Sequence, residues 1–238
     1  MRPLFEEIDR QRTSMGEISL RRRWDPVTEV DVYEAKLDDE FLMSSSFTVA
    51  EVALATLGLA AVEGGELDVV VGGLGLGYTA LAALADQRVR TLHVVEALGQ
   101  VIEWHQRHLL PLSDGLAADP RCHLDHGDFF ALVAAGAPFA PDAPERWHAI
   151  LLDVDHSPSR ILHPSHAGFY RAEGLRLLAD RLHPDGVFAL WSDDPPDADF
   201  GAVLGAVFAI TSWQVVPFAN PYTGGESTNT VYLASGAR

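Results

Sequence analysis

Cysteine, positive charge and long apolar runs are all scarce in this 238-residue chain, and each scarcity removes a class of protein. The one cysteine, Cys122, cannot build a disulfide framework or a cysteine-based zinc site, and it reads as core beside a strand. Against 34 Asp and Glu stand 17 Lys and Arg, a formal net charge of −17 that repels nucleic-acid backbones and anionic membranes and excludes both as partners. The same acidity suits a cationic substrate, or serves solubility alone. No segment is long and apolar enough to span a bilayer, and residues 1–7 lack the apolar run of a secretion signal, so a cytoplasmic protein is expected. Repeats and low-complexity tracts are absent.

What is present is enough apolar material for a full core, 47% of the chain, which suits one domain with a small appendage. Residues 17–23 and 29–37 alternate apolar and polar side chains around an Asp25-Pro26 turn, as an antiparallel hairpin does, and 41–43 can add a third short strand. Residues 1–45 are therefore expected to form a small β domain. Its basic run, Arg21, Arg22 and Arg23, reads as a solvated strand end.

The body of the chain, 46–238, is organised around residues 68–79. Val69, Val70 and Val71 are β-branched and uninterrupted, as a strand covered on both faces should be. Gly73, Gly75 and Gly77 then make a G-x-G-x-G turn, and a helix from 78 to 85 presents its N-terminus. A second strand, 89–95, ends in Glu96, where nucleotide-binding α/β folds place an acid for the ribose hydroxyls. Tight packing of helix on strand also asks for glycine, so the triplet is informative only with the strand, helix and acid around it.

Further strand-helix alternation follows. A helix from Ser46 or Thr48 to about Ala61 precedes the turn, and one over 98–110, stopped by Pro111, follows the second strand. Trp104 packs inward on it, whereas His105 and His108 read as surface residues, a metal site being disfavoured without a third ligand. The third strand, 121–125, runs into Gly127-Asp128-Phe129, where Asp128 can cap the helix over 129–135, accept from an adenine amino group, or both. The fourth strand, 147–152, delivers Asp153, Asp155 and His156 to the same carboxyl edge. Two carboxylates and an imidazole there can hold an amine, position it or take its proton, or they can simply form a polar turn. A helix over 167–182 and a turn at 183–186 lead to a fifth strand, 187–191, ending in Asp193 and Asp194. After a helix over 199–209, strands at 213–218 and 230–234 are too close for a crossover and must pair antiparallel.

These elements together resemble the α/β, Rossmann-like class I S-adenosylmethionine-dependent methyltransferase fold, with a mostly parallel seven-stranded sheet. The small β domain, Val-Val-Gly-Gly-Leu-Gly-Leu-Gly, Gly-Asp-Phe-Phe, Ile-Leu-Leu-Asp-Val-Asp, Phe169-Tyr170 and Leu-His-Pro-Asp-Gly-Val narrow the likeness. Nearly the whole chain is similar to the spermidine synthase (polyamine aminopropyltransferase) family. The resemblance implies that Gly73, Gly75 and Gly77 pass the nucleoside's tail, Glu96 holds the ribose, and Asp128 with Phe129 reads adenine. It also implies that Asp153 orients and deprotonates the attacking amine; if the acceptor is a different amine, the carboxylates Asp153, Asp155, Asp193 and Asp194 would bind the cation, and if the reaction is methyl transfer, Asp153 or His156 would be the base. The co-substrate is S-adenosylmethionine or its decarboxylated form, no metal is implied, and a homodimer is expected. Against the family's Asp-Ser-Ser-Asp-Pro loop this chain has Asp153-Val-Asp-His-Ser157, it carries Leu76 where the synthases usually have aspartate, and the family's Tyr-His-Glu segment has no clear counterpart. Three readings follow: aminopropyl transfer to a different amine, methyl transfer on the same scaffold, or an inactive nucleoside-binding relative. The lack of Lys and Arg in residues 72–85 favours a donor without the methionine carboxylate.

Overall fold

The alternating residues that predict a hairpin near the N-terminus build a four-stranded antiparallel sheet in the computed structural model, which describes residues 4–13 and 15–238. Its strands are β1 (Phe5–Thr13), β2 (Gly16–Asp25), β3 (Val30–Leu37) and β4 (Glu40–Ser44), in the order β1-β2-β3-β4. The first strand was not legible, because residues 5–13 bury little and carry no clean alternation. Ile18, Leu20 and Ala35 of β2 and β3 enter the main core. Arg22 corrects the reading of the basic run as solvated: it is buried and pairs with Glu6 (2.9 Å) and Asp31 (3.5 Å), while Arg21 and Arg23 both bond Glu34 at 2.7 Å. Inward-facing arginines on a sheet need acids opposite them.

The larger sheet has seven strands: β5 (Leu67–Gly72), β6 (Val89–Glu96), β7 (Cys122–His126), β8 (Trp147–Leu152), β9 (Leu182–Ser192), β10 (Phe208–Asn220) and β11 (Gly225–Ala237). Their order is β10-β11-β9-β8-β5-β6-β7, with β5 to β9 parallel and β10 and β11 antiparallel, as the short connection requires. Strand side chains alternate between two cores. Val69, Val71, Leu151 and Ala189 face α1 (Val49–Ala60), α2 (Tyr78–Leu84), α3 (Gly99–Gln106) and α4 (Ser113–Ala118). Val70, Ile150, Leu152 and Phe188 face α5 (Phe129–Ala134), α6 (Ala172–Ala179) and α7 (Ala198–Gly205). Both faces are thus covered, which is why the parallel strands read as continuous apolar runs.

Several helix boundaries differ from expectation. The helix expected over 98–110 stops at Gln106, because His108 takes a left-handed conformation (φ +55°) before Pro111, and the chain restarts as α4. The helix expected over 167–182 divides into a 3-10 turn, Pro164–Gly168, and α6. The turn at 183–186 is an excursion within β9, which resumes its pairing with β8 at Val187. The helix expected over 199–209 is α7, capped by Asp197, whose carboxylate accepts from Asp199 N (2.8 Å) and Phe200 N (3.2 Å); β10 begins at Phe208. His105 is not a surface residue: it lies buried under the glycine turn and donates from Nε2 to Gly75 O at 2.9 Å.

Candidate active site

A seam of backbone hydrogen bonds ties the carboxyl ends of the parallel strands together. Gly127 N donates to Glu96 O (2.9 Å), Gly73 N to Val95 O (2.9 Å), Asp153 N to Gly72 O (2.8 Å) and Asp193 N to His156 O (2.7 Å). The residues singled out at four strand ends therefore form one edge, where open parallel sheets place their ligands.

The glycine turn is shaped by contacts on both sides. Gly73 has φ +95°, and a Cβ there would lie 2.1 Å from the carbonyl oxygen of Asp153, so only glycine lets the turn rest on the end of β8. A Cβ on Gly75 would meet Met43 Sδ at 3.2 Å, placing β4 over the turn. Gly77 faces Leu116 and His105. A Cβ there would meet side chains of α3 and α4. Glu96 is buried and receives Leu74 N on Oε2 (3.0 Å) and Leu98 N on Oε1 (2.8 Å). Burial pushes its carboxyl up, opposed by these backbone donors.

Asp128 caps α5 by accepting from Ala131 N (3.0 Å). The Phe129 ring is committed to the core, stacked on Phe139 at 5.1 Å and set beneath Gly72.

Asp153 is half-buried beside the turn, and Thr79 in the first turn of α2 donates to its Oδ2 at 2.6 Å. The same hydroxyl lies 3.3 Å from the carbonyl of Glu51, in the first turn of α1. Burial pushes the Asp153 carboxyl up to about 6, with the Thr79 bond acting against it. Glu51 is pushed up to about 8, by burial first and then by the negative charges of Asp153 and Asp193. The negative charge of Asp153 disfavours ionisation of Glu51, so near neutral pH the proton of the pair resides on Glu51.

Asp155 lies elsewhere. It is buried and accepts from Leu162 N (2.7 Å), His166 Nδ1 (2.8 Å) and the Tyr170 hydroxyl (2.8 Å), and His166 in turn stacks on Phe130 at 3.8 Å. Its oxygens serve the loop after β8. His156 is half-buried, with Nε2 3.9 Å from Glu40 of β4.

Asp193 and Asp194 are both held by one side chain. Arg160 donates from Nη2 to Asp193 Oδ2 (2.9 Å) and Asp194 Oδ1 (2.8 Å), and from Nε to Asp194 Oδ2 (3.1 Å). Buried Asn229 adds a bond to Asp193 Oδ1 at 3.0 Å. The Arg160 bonds hold the Asp194 carboxyl below the ordinary range.

The sequence gives Glu51, Thr79, Arg160 and Asn229 no functional role. No pattern links residues 28 or more positions apart until the sheet order is known. Away from this edge, a cavity of about 370 Å³ lies between Asp68, Arg90, His93 and Asp125, where Arg90 bonds Asp68 and His93 bonds Asp125. Among the described residues, no group of three or more His, Cys, Asp and Glu is placed to hold a metal ion, and no helix is long and apolar enough to cross a membrane.

A spermidine synthase from Thermotoga maritima superposes on 98% of this chain and 74% of its own, with a TM-score of 0.72 at 19% identity. The fold is that of the spermidine synthases. A spermidine synthase in complex with the transition state analogue AdoDATO gives the same TM-score at 20% identity, covering 97% of this chain and 73% of its own. The broader class I methyltransferase likeness holds too: human methyltransferase-like protein 13 in complex with SAH reaches a TM-score of 0.53 at 19% identity over 79% of each chain. In sequence, the chain is 29% identical over 152 residues to polyamine aminopropyltransferase 2 of Pseudomonas aeruginosa, a match spanning 60% of this chain. It spans about 40% of the length of that curated relative. No protein-family model matches the chain.

Proposed function

We propose that the chain is a transferase of the aminopropyltransferase type, which binds an adenosyl sulfonium at the glycine turn and moves its aminopropyl group to an amine. The observation that carries the reading is Asp153, half-buried at the end of β8, bonded by Thr79 and titrating near neutrality against the turn where the donor would lie. A carboxylate with that affinity for protons can accept an ammonium and take its proton at physiological pH.

The residues at the edge fit such a donor. Glu96 and Asp128 stand at adjacent strand ends beside the glycine turn, at the edge where a ribose and a base would lie. Residues 72–85 contain no Lys or Arg to pair a methionine carboxylate, which supports the decarboxylated donor. Asp153 aligns the amine and accepts the proton it loses as the new N–C bond forms and the C–S bond breaks, the sulfur leaving as a neutral thioether. Thr79 fixes the carboxylate for this, and Glu51 keeps the one proton of the pair. Asp155 and His156 support the loop carrying Asp153 rather than the reacting atoms.

The polyamine aminopropyltransferase relative and the spermidine synthase fold support the reading. The same reading makes the enzyme cytoplasmic and homodimeric, the latter checked by sedimentation. Its test is incubation of the purified protein with decarboxylated S-adenosylmethionine and an amine panel, read by mass spectrometry. An amine heavier by one aminopropyl group, together with methylthioadenosine, is expected. Methylated product from S-adenosylmethionine, with no aminopropyl product, would replace the reading by the methyltransferase one.

A further inference from the structure

A diamine acceptor needs two anionic holds: one for the reacting nitrogen and one for the ammonium at its far end. The first is available here, since among the described residues no Lys, Arg or His side chain acts on the Asp153 or Glu51 carboxyl. The second is not. Asp193 N donates to His156 O at 2.7 Å, which puts the Asp193 carboxylate on the same sheet edge as Asp153, where its charge also reaches Glu51. Yet Asp193 and Asp194 are spanned by the Arg160 guanidinium through three bonds of 2.8 to 3.1 Å, and Asn229 takes a further oxygen of Asp193. A guanidinium held by two carboxylates in fork geometry is harder to displace than a single exposed ion pair. It is also already present in the chain, whereas an incoming ammonium must bring itself from solution. A second feature points the same way. Among the described residues, the Trp191 indole N–H is the buried side-chain polar group without a hydrogen-bond partner, and it lies on β9 two positions before Asp193. An indole N–H needs an acceptor, which an ammonium does not have.

We infer that Arg160 determines acceptor specificity by occupying the anchor for a second ammonium, so that the acceptor is an amine with one cationic end and an uncharged, hydrogen-bonding far end. The inference rests on the proposed aminopropyl transfer and names the substrate class of that site.

The test compares 4-aminobutan-1-ol with 1,4-diaminobutane, which differ only at the far end, by calorimetric titration into protein saturated with methylthioadenosine. Arg160 is half exposed, so Arg160→Gln is expected to fold, with Arg160→Lys as the charge-retaining control. The parent protein and Arg160→Lys should bind the amino alcohol at least as tightly as the diamine. Arg160→Gln should shift the ratio at least tenfold towards the diamine. A parent that prefers the diamine, a ratio unchanged in Arg160→Gln, or no binding of either amine to the saturated protein overturns the inference. Failure of methylthioadenosine itself to bind would instead overturn the proposed function, and the two failures are read in separate titrations.

Discussion

Glu51 and Asp153 are held on opposite sides of neutrality, about 8 and about 6, by the same partly buried pocket. At pH 7 the pair carries one negative charge, with Asp153 the ionised member because Thr79 bonds its carboxylate. Replacing Asp153 by Asn should lower turnover by about 100-fold or more while nucleoside affinity stays within a few-fold, as expected when a proton acceptor is lost without loss of shape. Turnover of the parent should rise with pH through about 6, and Asp153→Asn should abolish that limb; stopped-time assays across pH check both. Stability responds in the opposite direction. Both carboxyls bind protons more tightly folded than unfolded, so their contribution is full below about pH 4 and is lost as pH rises through about 6 and about 8. Glu51→Gln should therefore melt like the parent at about pH 5 and above it at about pH 9. A melting difference that is flat or reversed over that range would contradict the assignment. Asp153 was legible because it follows an apolar strand ending at a sheet edge. Glu51 was not, because its meaning comes from a partner 102 positions away, brought close only when α1 packs beside β8.

Secondary-structure elements show where pattern suffices and where it fails. Strands β6 and β8 could be read nearly to the residue and β5 at its Val69–Val71 centre, since burial on both faces fills most of their positions with apolar side chains. The helices after β6 and β8 could not, because their breaks come from single backbone conformations such as that of His108, which periodicity does not encode. The glycine turn joins the two levels. In Gly73→Ala the new methyl would meet the carbonyl of Asp153 and the residue would be forced to φ +95°, so a loss of about 2 kcal/mol or more and of nucleoside binding is expected. Gly65→Ala meets nothing within 4 Å and has no positive φ, and its cost should stay within about 0.5 kcal/mol. Chemical denaturation of the two variants measures the contrast. Equal costs would mean that Gly73 is not held against β8.

Across the whole molecule, the small sheet is fastened to the large one near the site. Trp104 Nε1 donates to Asp9 (2.7 Å), Gln11 bonds Glu103 (3.2 Å), the Tyr222 hydroxyl bonds Asp25, and Met43 rests against Gly75. Trp104→Phe removes a donor from partly buried Asp9 and should cost about 1 to 3 kcal/mol, seen as a lower denaturation midpoint. The parallel core and its carboxyl edge were visible in the sequence, whereas the grip of Arg160 on two acids more than 30 residues away was not. The measurement that tests the central claim most directly is calorimetric titration of the purified protein with methylthioadenosine, decarboxylated S-adenosylmethionine and S-adenosylmethionine side by side. Tighter binding of the first two than of the carboxylated donor is the result expected of an aminopropyltransferase. Preference for S-adenosylmethionine, or no binding of any of the three, would contradict it.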